Sequence, residues 1–205
     1  MTKPMLSRVG AASGAVFAVI LTVAAGNGNH AFSGPRAVAG VAAITLAIPF
    51  LAYVARLLGT AEGPQGWLAP TALVAGVSGI ALKLVSVFPE LAIHRAHVAD
   101  GTTLHKALQQ IADGATLISL YPLAVFCAAT AIVALRTRVL PLWLGCGAAI
   151  TAAALAVNGA ILKASFVPAL LLFLVWTLAA SVYLLVTASR RPAISRAAEM
   201  GTAVG

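Results

Sequence analysis

The chain has 205 residues, of which 61% are hydrophobic and only 9% are charged, whereas roughly 25% of the residues of an ordinary soluble domain are charged. The apolar residues form blocks of about 18 to 25, the length with which a helix crosses a hydrocarbon layer roughly 30 Å thick. A water-soluble globular domain is therefore excluded, and the absence of polar/apolar alternation disfavours a membrane β-barrel. The predicted fold class is all-α, a polytopic transmembrane helical bundle whose first partner is the lipid bilayer.

Six spans are predicted in one transmembrane domain, 1-205, at about 9-25, 37-58, 67-88, 107-135, 140-162 and 166-188. The first also has the basic start of a secretory signal, but its length favours a retained span. The third is predicted to end at Phe88-Pro89, because proline discourages the continuation of a helix. A polar outer segment, 89-106, follows it, Pro122 is predicted to kink the fourth span, and a flexible tail, 190-205, closes the chain.

The basic residues orient these spans. The formal net charge is +8, but Lys and Arg stand singly or in pairs between the blocks, without interleaved aromatic residues, so no nucleic-acid partner is predicted. With the amino terminus inside, about eight of them face the cytoplasm and four face outward, which predicts that both termini are cytoplasmic. Cys127 and Cys146 lie inside apolar blocks, and no disulfide is predicted.

Small residues in the spans predict where helices approach each other. Gly10 and Gly14 in the first span, like the pairs Gly76/Gly79 and Gly145/Gly147, offer surfaces on which a neighbouring helix can pack closely. Contacts inside one chain are the favoured interpretation, and a homo-oligomer is the alternative. Trp176, near the middle of the sixth span, is predicted to pack in the core.

In this topology all four histidines, His30, His94, His97 and His105, lie on the outer side with Glu90, Asp100 and Asp113. If residues 90 to 99 are helical, the spacing of Glu90, His94 and His97 at i, i+4 and i+7 brings them to one face. That face is interpreted as the wet side of an amphipathic helix, as an acid/base or pH-responsive site, or as a metal site. The catalytic candidates are Glu90, His94, His97, Asp100 and Asp113. The metal candidates are His94, His97 and Glu90, with His30 or His105 completing the shell of a Zn²⁺ or Cu²⁺ ion, and no other cofactor is predicted.

A second group of polar residues shares one depth near the outer ends of the spans. Its members are Lys83, Gln109, Asp113 and Asn158. Lys83 is interpreted as a side chain that snorkels to the interface, as the partner of Asp113 in an ion pair, or as part of a ligand-binding site formed by all four residues. In the turn before the fourth span, Asp100-Gly101 predicts a tight turn and Thr102 or Thr103 a helix cap.

The stretch from Arg136 to Gly145 has the form Arg-x-x-x-Leu-Pro-x-Trp-Leu-Gly, with Leu140-Pro141 and Trp143 at its centre. It resembles a pattern in small, uncharacterised multi-span membrane proteins of actinobacteria, over the region from Leu108 to Asn158. The resemblance implies a bacterial cytoplasmic (plasma) membrane location. It transfers no activity and no catalytic residue.

The sequence contains no Walker loop, Cys-x-x-Cys pair or His-Glu-x-x-His helix, which disfavours an ATP-driven pump, a thiol oxidoreductase and a zinc protease. The favoured function is accessory and noncatalytic: binding a lipophilic small molecule, sensing, or partnering another membrane protein. The alternatives are a small membrane-embedded enzyme acting on a lipid or isoprenoid through the outer-face site, and a transporter. Whether the chain is an enzyme stays open, with a preference for no.

Overall fold

A computed structural model describes the backbone of residues 3–25, 35–161 and 168–202, and the side chains of 8–23, 39–161 and 168–188. All regular structure in these ranges is helical, which confirms the predicted all-α class. The helices are α1 (Lys3–Ala25), α2 (Pro35–Glu62), α3 (Leu68–Arg95), α4 (Thr103–Thr137), α5 (Leu142–Ile161) and α6 (Pro168–Thr202). The last of them runs through most of the stretch predicted as a tail.

Five of the helical stretches are long and apolar enough to cross a membrane. They are Ala39–Glu62, Leu68–Arg95, Thr103–Thr137, Leu142–Ile161 and Pro168–Ala188. In α1 the apolar stretch among the described residues, Arg8–Val23, is shorter. Since an apolar helix of this length satisfies its own backbone hydrogen bonds, the chain is a multi-span membrane protein.

Each helix packs against the next one in the chain, and α6 returns to pack against α1, so the six helices form a closed ring. The register shows that neighbours run antiparallel. In the pair α4–α5, Gly145 lies against Leu135 and Gly159 lies against Tyr121. In the pair α2–α3, Gly59 lies near Ala69, whereas Gly76 lies further along near Leu51. The connections from α2 to α3, from α3 to α4 and from α4 to α5 are short, as in hairpins of antiparallel helices.

The predicted glycine surfaces are confirmed as contacts within the chain. Gly10 lies against Tyr53, Gly14 against Phe50 and Ser181, Gly76 against Leu51 and Phe126, Gly79 against Leu123, Gly145 against Leu135 and Ala134, and Gly147 against Trp176. Lipid tails are as apolar as leucine, so helices in a membrane associate through close packing of this kind. The packing of Trp176 in the core is confirmed as well, because its side chain is buried and its Nε1 donates to the carbonyl oxygen of Leu144 at 3.0 Å.

The helix of the third span does not end at Phe88-Pro89, because α3 continues to Arg95. Proline removes one helical hydrogen bond, but it does not end a helix whose extension is held by packing. Here Val87 and Pro89 are buried, and α3 packs against α4. The predicted polar segment, 89-106, is therefore mostly the ends of two helices, and only residues 96 to 102 form the turn between them.

The turn between α2 and α3 is held by a contact that local sequence patterns do not reveal. The carboxylate of Glu62 accepts hydrogen bonds from the backbone N–H groups of Leu68 at 3.1 Å and Ala69 at 2.9 Å. These are the first two residues of α3, and the preceding Trp67 offers no side-chain cap. The last residue of one helix thus caps the next, and its negative charge lies at the positive end of the α3 dipole.

We expect Glu62→Ala to lower the free energy of unfolding by about 1 kcal/mol, the usual effect of losing a helix cap. Glu62→Gln keeps one acceptor oxygen and is expected to have a smaller effect. Chemical unfolding in detergent micelles, followed by circular dichroism, measures both. Gln65→Ala, at an exposed position of the same turn, is the matched control, and an equal loss in that variant would contradict the capping role.

Candidate functional site

The end of α3 and the start of α4 form a hairpin, residues 83–116, which we call the projecting hairpin. Since Gly159 lies against Tyr121 and α5 ends at Ile161, the end of α5 is level with about Ser119 of α4. From there α4 extends back to Thr103, a distance of about 24 Å at 1.5 Å per residue. The polar candidates Glu90, His94, His97, Asp100, His105, Gln109 and Asp113 all belong to this hairpin.

The base of the projecting hairpin lies about one bilayer thickness from the end of the bundle that holds Trp143 and Tyr183. There the rings of Trp143 and Tyr183 meet edge to face, with centroids 6.3 Å apart, and such rings prefer the membrane–water interface. By the α4–α5 register, Trp143 is level with Thr137. About 20 residues along α4 span the roughly 30 Å of hydrocarbon, and this distance ends near Thr116.

Lys83 of α3 lies level with Thr116, and its side chain reaches towards α4. Its ammonium group donates a hydrogen bond to the hydroxyl of Thr116 at 2.9 Å. Glu90, two turns further along the same face of α3, and Asp113, one turn from Thr116 on α4, are the acidic groups whose charges act on Lys83. A cation and a hydroxyl are thus hydrogen-bonded between α3 and α4, and two carboxylates lie one and two helical turns away along these helices.

The ion pair considered for Lys83 and Asp113 is not formed as a direct contact: among the described side chains, the one pair within 4.0 Å is that of Asp100 and His105. Lys83 and Glu90 are half-buried, whereas Asp113 and Gln109 are exposed. Asn158 is buried on α5, next to the glycine that Tyr121 covers. The partner that sequence reasoning missed is Thr116, since a threonine inside a helix carries no local signal of a contact with another helix.

The helical face proposed for Glu90, His94 and His97 does not extend to His97, because α3 ends at Arg95. Backbone bonds from His97 N to His94 O and from Val98 N to Ile93 O form the 5→2 and 6→1 pattern of a Schellman motif. The residue at its turn, His97, has φ of 49°, a left-handed conformation that turns the chain away from the helix axis. His94 and His97 are both exposed.

We expect His97→Gly to raise the free energy of unfolding by about 0.5 to 1 kcal/mol, because glycine adopts positive φ without the steric penalty of a side chain. His94→Gly, inside α3, is the matched control and is expected to lower it by a similar amount. Thermal unfolding of the three proteins in the same detergent gives both values. A destabilised His97→Gly protein would show that the imidazole makes a contact that outweighs the strain.

The turn into α4 agrees with the sequence. Gly101 has φ of 80°, and the Thr102 hydroxyl accepts from the backbone N–H of His105 at 3.2 Å, so the predicted turn and cap are confirmed. Asp100 Oδ1 lies 3.6 Å from His105 Nδ1, an ion pair when the imidazole is protonated. This pair lies at the tip of the hairpin.

The candidate metal ligands do not assemble within the part of the chain that the structure describes, where no three His, Cys, Asp or Glu side chains are grouped to hold a metal ion. His30, one of the residues considered for completing such a shell, lies outside the described residues. At the opposite end of α3 a shallow open groove of about 360 Å³ is lined by Pro70, Thr71, Val74 and Ala75. It contains no titratable side chain.

The arrangement at Lys83 offers hydrogen-bond donors to an anionic group. An ammonium group has three donors, and Thr116 takes one of them, so an anionic oxygen can accept another. The two carboxylates attract positive charge about one and two helical turns away. A head group that carries both signs therefore fits this cluster. Comparisons of the chain with protein-family models, with curated proteins and with solved structures found no match.

Proposed function

We propose that the chain is a noncatalytic binding protein of a bacterial cytoplasmic membrane, with six spans and both termini in the cytoplasm. Its ligand is an amphiphile whose charged head group is held by Lys83 and Thr116 and by the carboxylates of Glu90 and Asp113. The closed ring of six helices supports α1 as the sixth span. The excess of basic residues at the end of the bundle that holds Arg8, Arg56 and Arg136 supports the orientation.

The observation that carries the proposal is the hydrogen bond from Lys83 to Thr116 between α3 and α4, at a depth that we assign to the edge of the hydrocarbon layer. At this depth the polar part of an amphiphile reaches the charged cluster while its apolar part stays among the lipid tails. No deep cavity is needed, because the bilayer itself solvates the chains. Phosphate or carboxylate oxygens accept from the ammonium group, and a cationic part of the head group pairs with Glu90 or Asp113.

The positions of the histidines support binding over catalysis. An acid/base enzyme needs its proton donor and acceptor within hydrogen-bonding reach of one substrate. His94 and His97 are exposed, and His97 is turned away by the end of α3. A transporter would need polar groups that line a path through the bundle. In the lower half of α4 the buried hydroxyl of Thr130 does not line such a path, because it donates to the carbonyl oxygen of Phe126 in its own helix.

The test measures the affinity of the purified protein for phosphatidylethanolamine, whose head group carries both charges, in mixed micelles. We expect Lys83→Met to weaken this binding about tenfold, equivalent to about 1.4 kcal/mol. Binding of diacylglycerol, which has no charged head group, is expected to stay unchanged. Phosphatidylglycerol, which lacks the ammonium group, separates the contribution of the carboxylates from that of Lys83.

Lys106→Met is the matched control, because Lys106 lies on the same hairpin and is exposed to solvent. Equal losses in the Lys83→Met and Lys106→Met proteins would mean that only the overall charge of the hairpin matters, and the proposed site would be rejected. Lys83→Arg keeps the cation and is expected to recover most of the affinity. Circular dichroism of each variant verifies that the helices are intact.

A further inference from the structure

Two hydroxyl groups on α6, those of Thr177 and Ser181, have no hydrogen-bond partner among the described residues. We call them the α6 hydroxyl pair. Both side chains are completely buried, with 0% of their surface exposed. Since they are four residues apart in one helix, they lie on the same face, one turn from each other. A buried hydroxyl without a partner is unfavourable, because it has given up its hydrogen bonds to water.

The other buried hydroxyls of the described residues all have a partner. Each donates to a carbonyl oxygen of its own helix, three or four residues earlier, as serine and threonine in helices commonly do. They are Ser13, Ser86, Ser119, Thr130 and Thr151. The α6 hydroxyl pair therefore differs from them in the direction of its hydroxyl groups, and not in residue type or in burial.

The packing of three helices explains the direction of the Ser181 hydroxyl. Its Oγ lies directly against Gly14 of α1, and the ring of Phe50 from α2 meets the same glycine. Neither neighbour supplies a hydrogen-bond partner. The hydroxyl is thus aimed into the junction of α1, α2 and α6 and away from the carbonyl oxygens of its own helix.

We propose that the α6 hydroxyl pair binds one water molecule, which bridges Thr177 Oγ1 and Ser181 Oγ inside the ring of helices. Side chains one turn apart have Cβ atoms about 5 to 6 Å from each other. This is close to the span of two O–H···O bonds of about 2.8 Å that meet at one water. Internal waters typically join buried polar groups that protein atoms leave unsatisfied, and a water can donate to one hydroxyl while it accepts from the other.

The chemistry of the junction favours water over an ion or a larger ligand. None of the described Asp, Glu, Lys or Arg side chains is among the buried residues, and an ion in so apolar an interior needs a charged partner. A larger polar molecule would push apart α1 and α6, which meet closely at Gly14 and Ser181. Water is the neutral ligand that needs the least space.

A double-mutant cycle tests the bridge. Thr177→Val keeps the shape of the side chain and removes its hydroxyl, and Ser181→Ala removes the second hydroxyl. We expect each single variant to raise the equilibrium constant of unfolding in detergent micelles about fivefold. The double variant is expected to be no less stable than either single variant, because the first substitution already releases the water, whereas independent effects would multiply to about 25-fold.

Thr151→Val is the matched control, because Thr151 is equally buried but donates to the carbonyl oxygen of Gly147 in its own helix. Its effect is expected to multiply with that of Ser181→Ala. The proposal would be overturned by effects of Thr177→Val and Ser181→Ala that multiply. It would also be overturned by a rise in stability in either single variant, since that would mean that the hydroxyls are buried without any partner.

Infrared spectroscopy detects the water itself. Exchange into water labelled with oxygen-18 shifts the O–H stretching band of an internal water, but not the bands of protein hydroxyl groups. We expect a shifted band in the wild-type and Thr151→Val proteins and its loss in the Thr177→Val and Ser181→Ala proteins. Identical spectra from all four proteins would show that the α6 hydroxyl pair binds no water.

Discussion

Replacing Gly79 with leucine is expected to lower the free energy of unfolding by about 3 kcal/mol, the upper part of the usual range for overpacking a core. A Cβ atom at this position would lie 2.7 Å from Cγ of Leu123 and 3.2 Å from its backbone nitrogen. The leucine side chain can rotate away, but the backbone of α4 cannot. The substitution therefore pushes apart α3 and α4, which also hold Lys83 and Thr116.

Unfolding by denaturant in mild detergent micelles measures this effect. Gly114→Leu is the matched control, since the same change is made where the space is open. We expect that variant to be as stable as the wild type or slightly more stable, because leucine is the better helix former. A Gly79→Leu protein with wild-type stability would mean that α3 and α4 are not in contact at this level.

Replacing Trp176 with alanine is also expected to lower the free energy of unfolding by about 3 kcal/mol, in the range found for large aromatic side chains in cores. The indole lies between the rings of Phe126 at 6.1 Å and Phe173 at 6.5 Å. It joins α4, α5 and α6, because its N–H also bonds to the Leu144 carbonyl. Removing the indole leaves a cavity that α4, α5 and α6 cannot fill by moving closer to one another.

Trp176→Phe separates the two parts of this effect. It keeps the aromatic packing and removes the hydrogen bond, so we expect a loss of about 1 kcal/mol. Trp67→Ala, at a side chain that is 68% exposed, is the control and is expected to change stability by less than about 0.5 kcal/mol. If Trp176→Phe were as damaging as Trp176→Ala, the hydrogen bond and not the packing would hold these helices together.

The Lys83 cluster shows why the candidate site was only partly predictable. Their charge and their positions in or beside apolar blocks single out Lys83 and Asp113 from the sequence, since ionisable residues in spans are rare and usually functional. The choice between the two possible partners of Lys83 depends on the register of α3 against α4. That register follows from contacts such as Gly79 against Leu123, and it brings Thr116 and not Asp113 to the ammonium group.

The cap of α3 is a similar case. Local capping patterns join residues two or three positions apart, whereas Glu62 reaches Leu68 and Ala69 across a turn. Gly63, the first residue of that turn, has a positive φ of 88°. Glu62 is visible in the sequence as a turn residue, but its hydrogen bonds are not.

The sequence alone determined what depends on composition and on short-range periodicity: the helical class, the multi-span membrane character, the approximate helix positions, the glycine contact surfaces and the cap at Thr102. These follow because hydrocarbon demands long apolar helices, and because turn and cap chemistry acts within a few residues. Tertiary structure alone decided the passage of α3 through Pro89, the pairing of Lys83 with Thr116, and the extent of the projecting hairpin. Each of these depends on how one helix lies against another, and the free energy of such contacts comes from residues far apart in the chain.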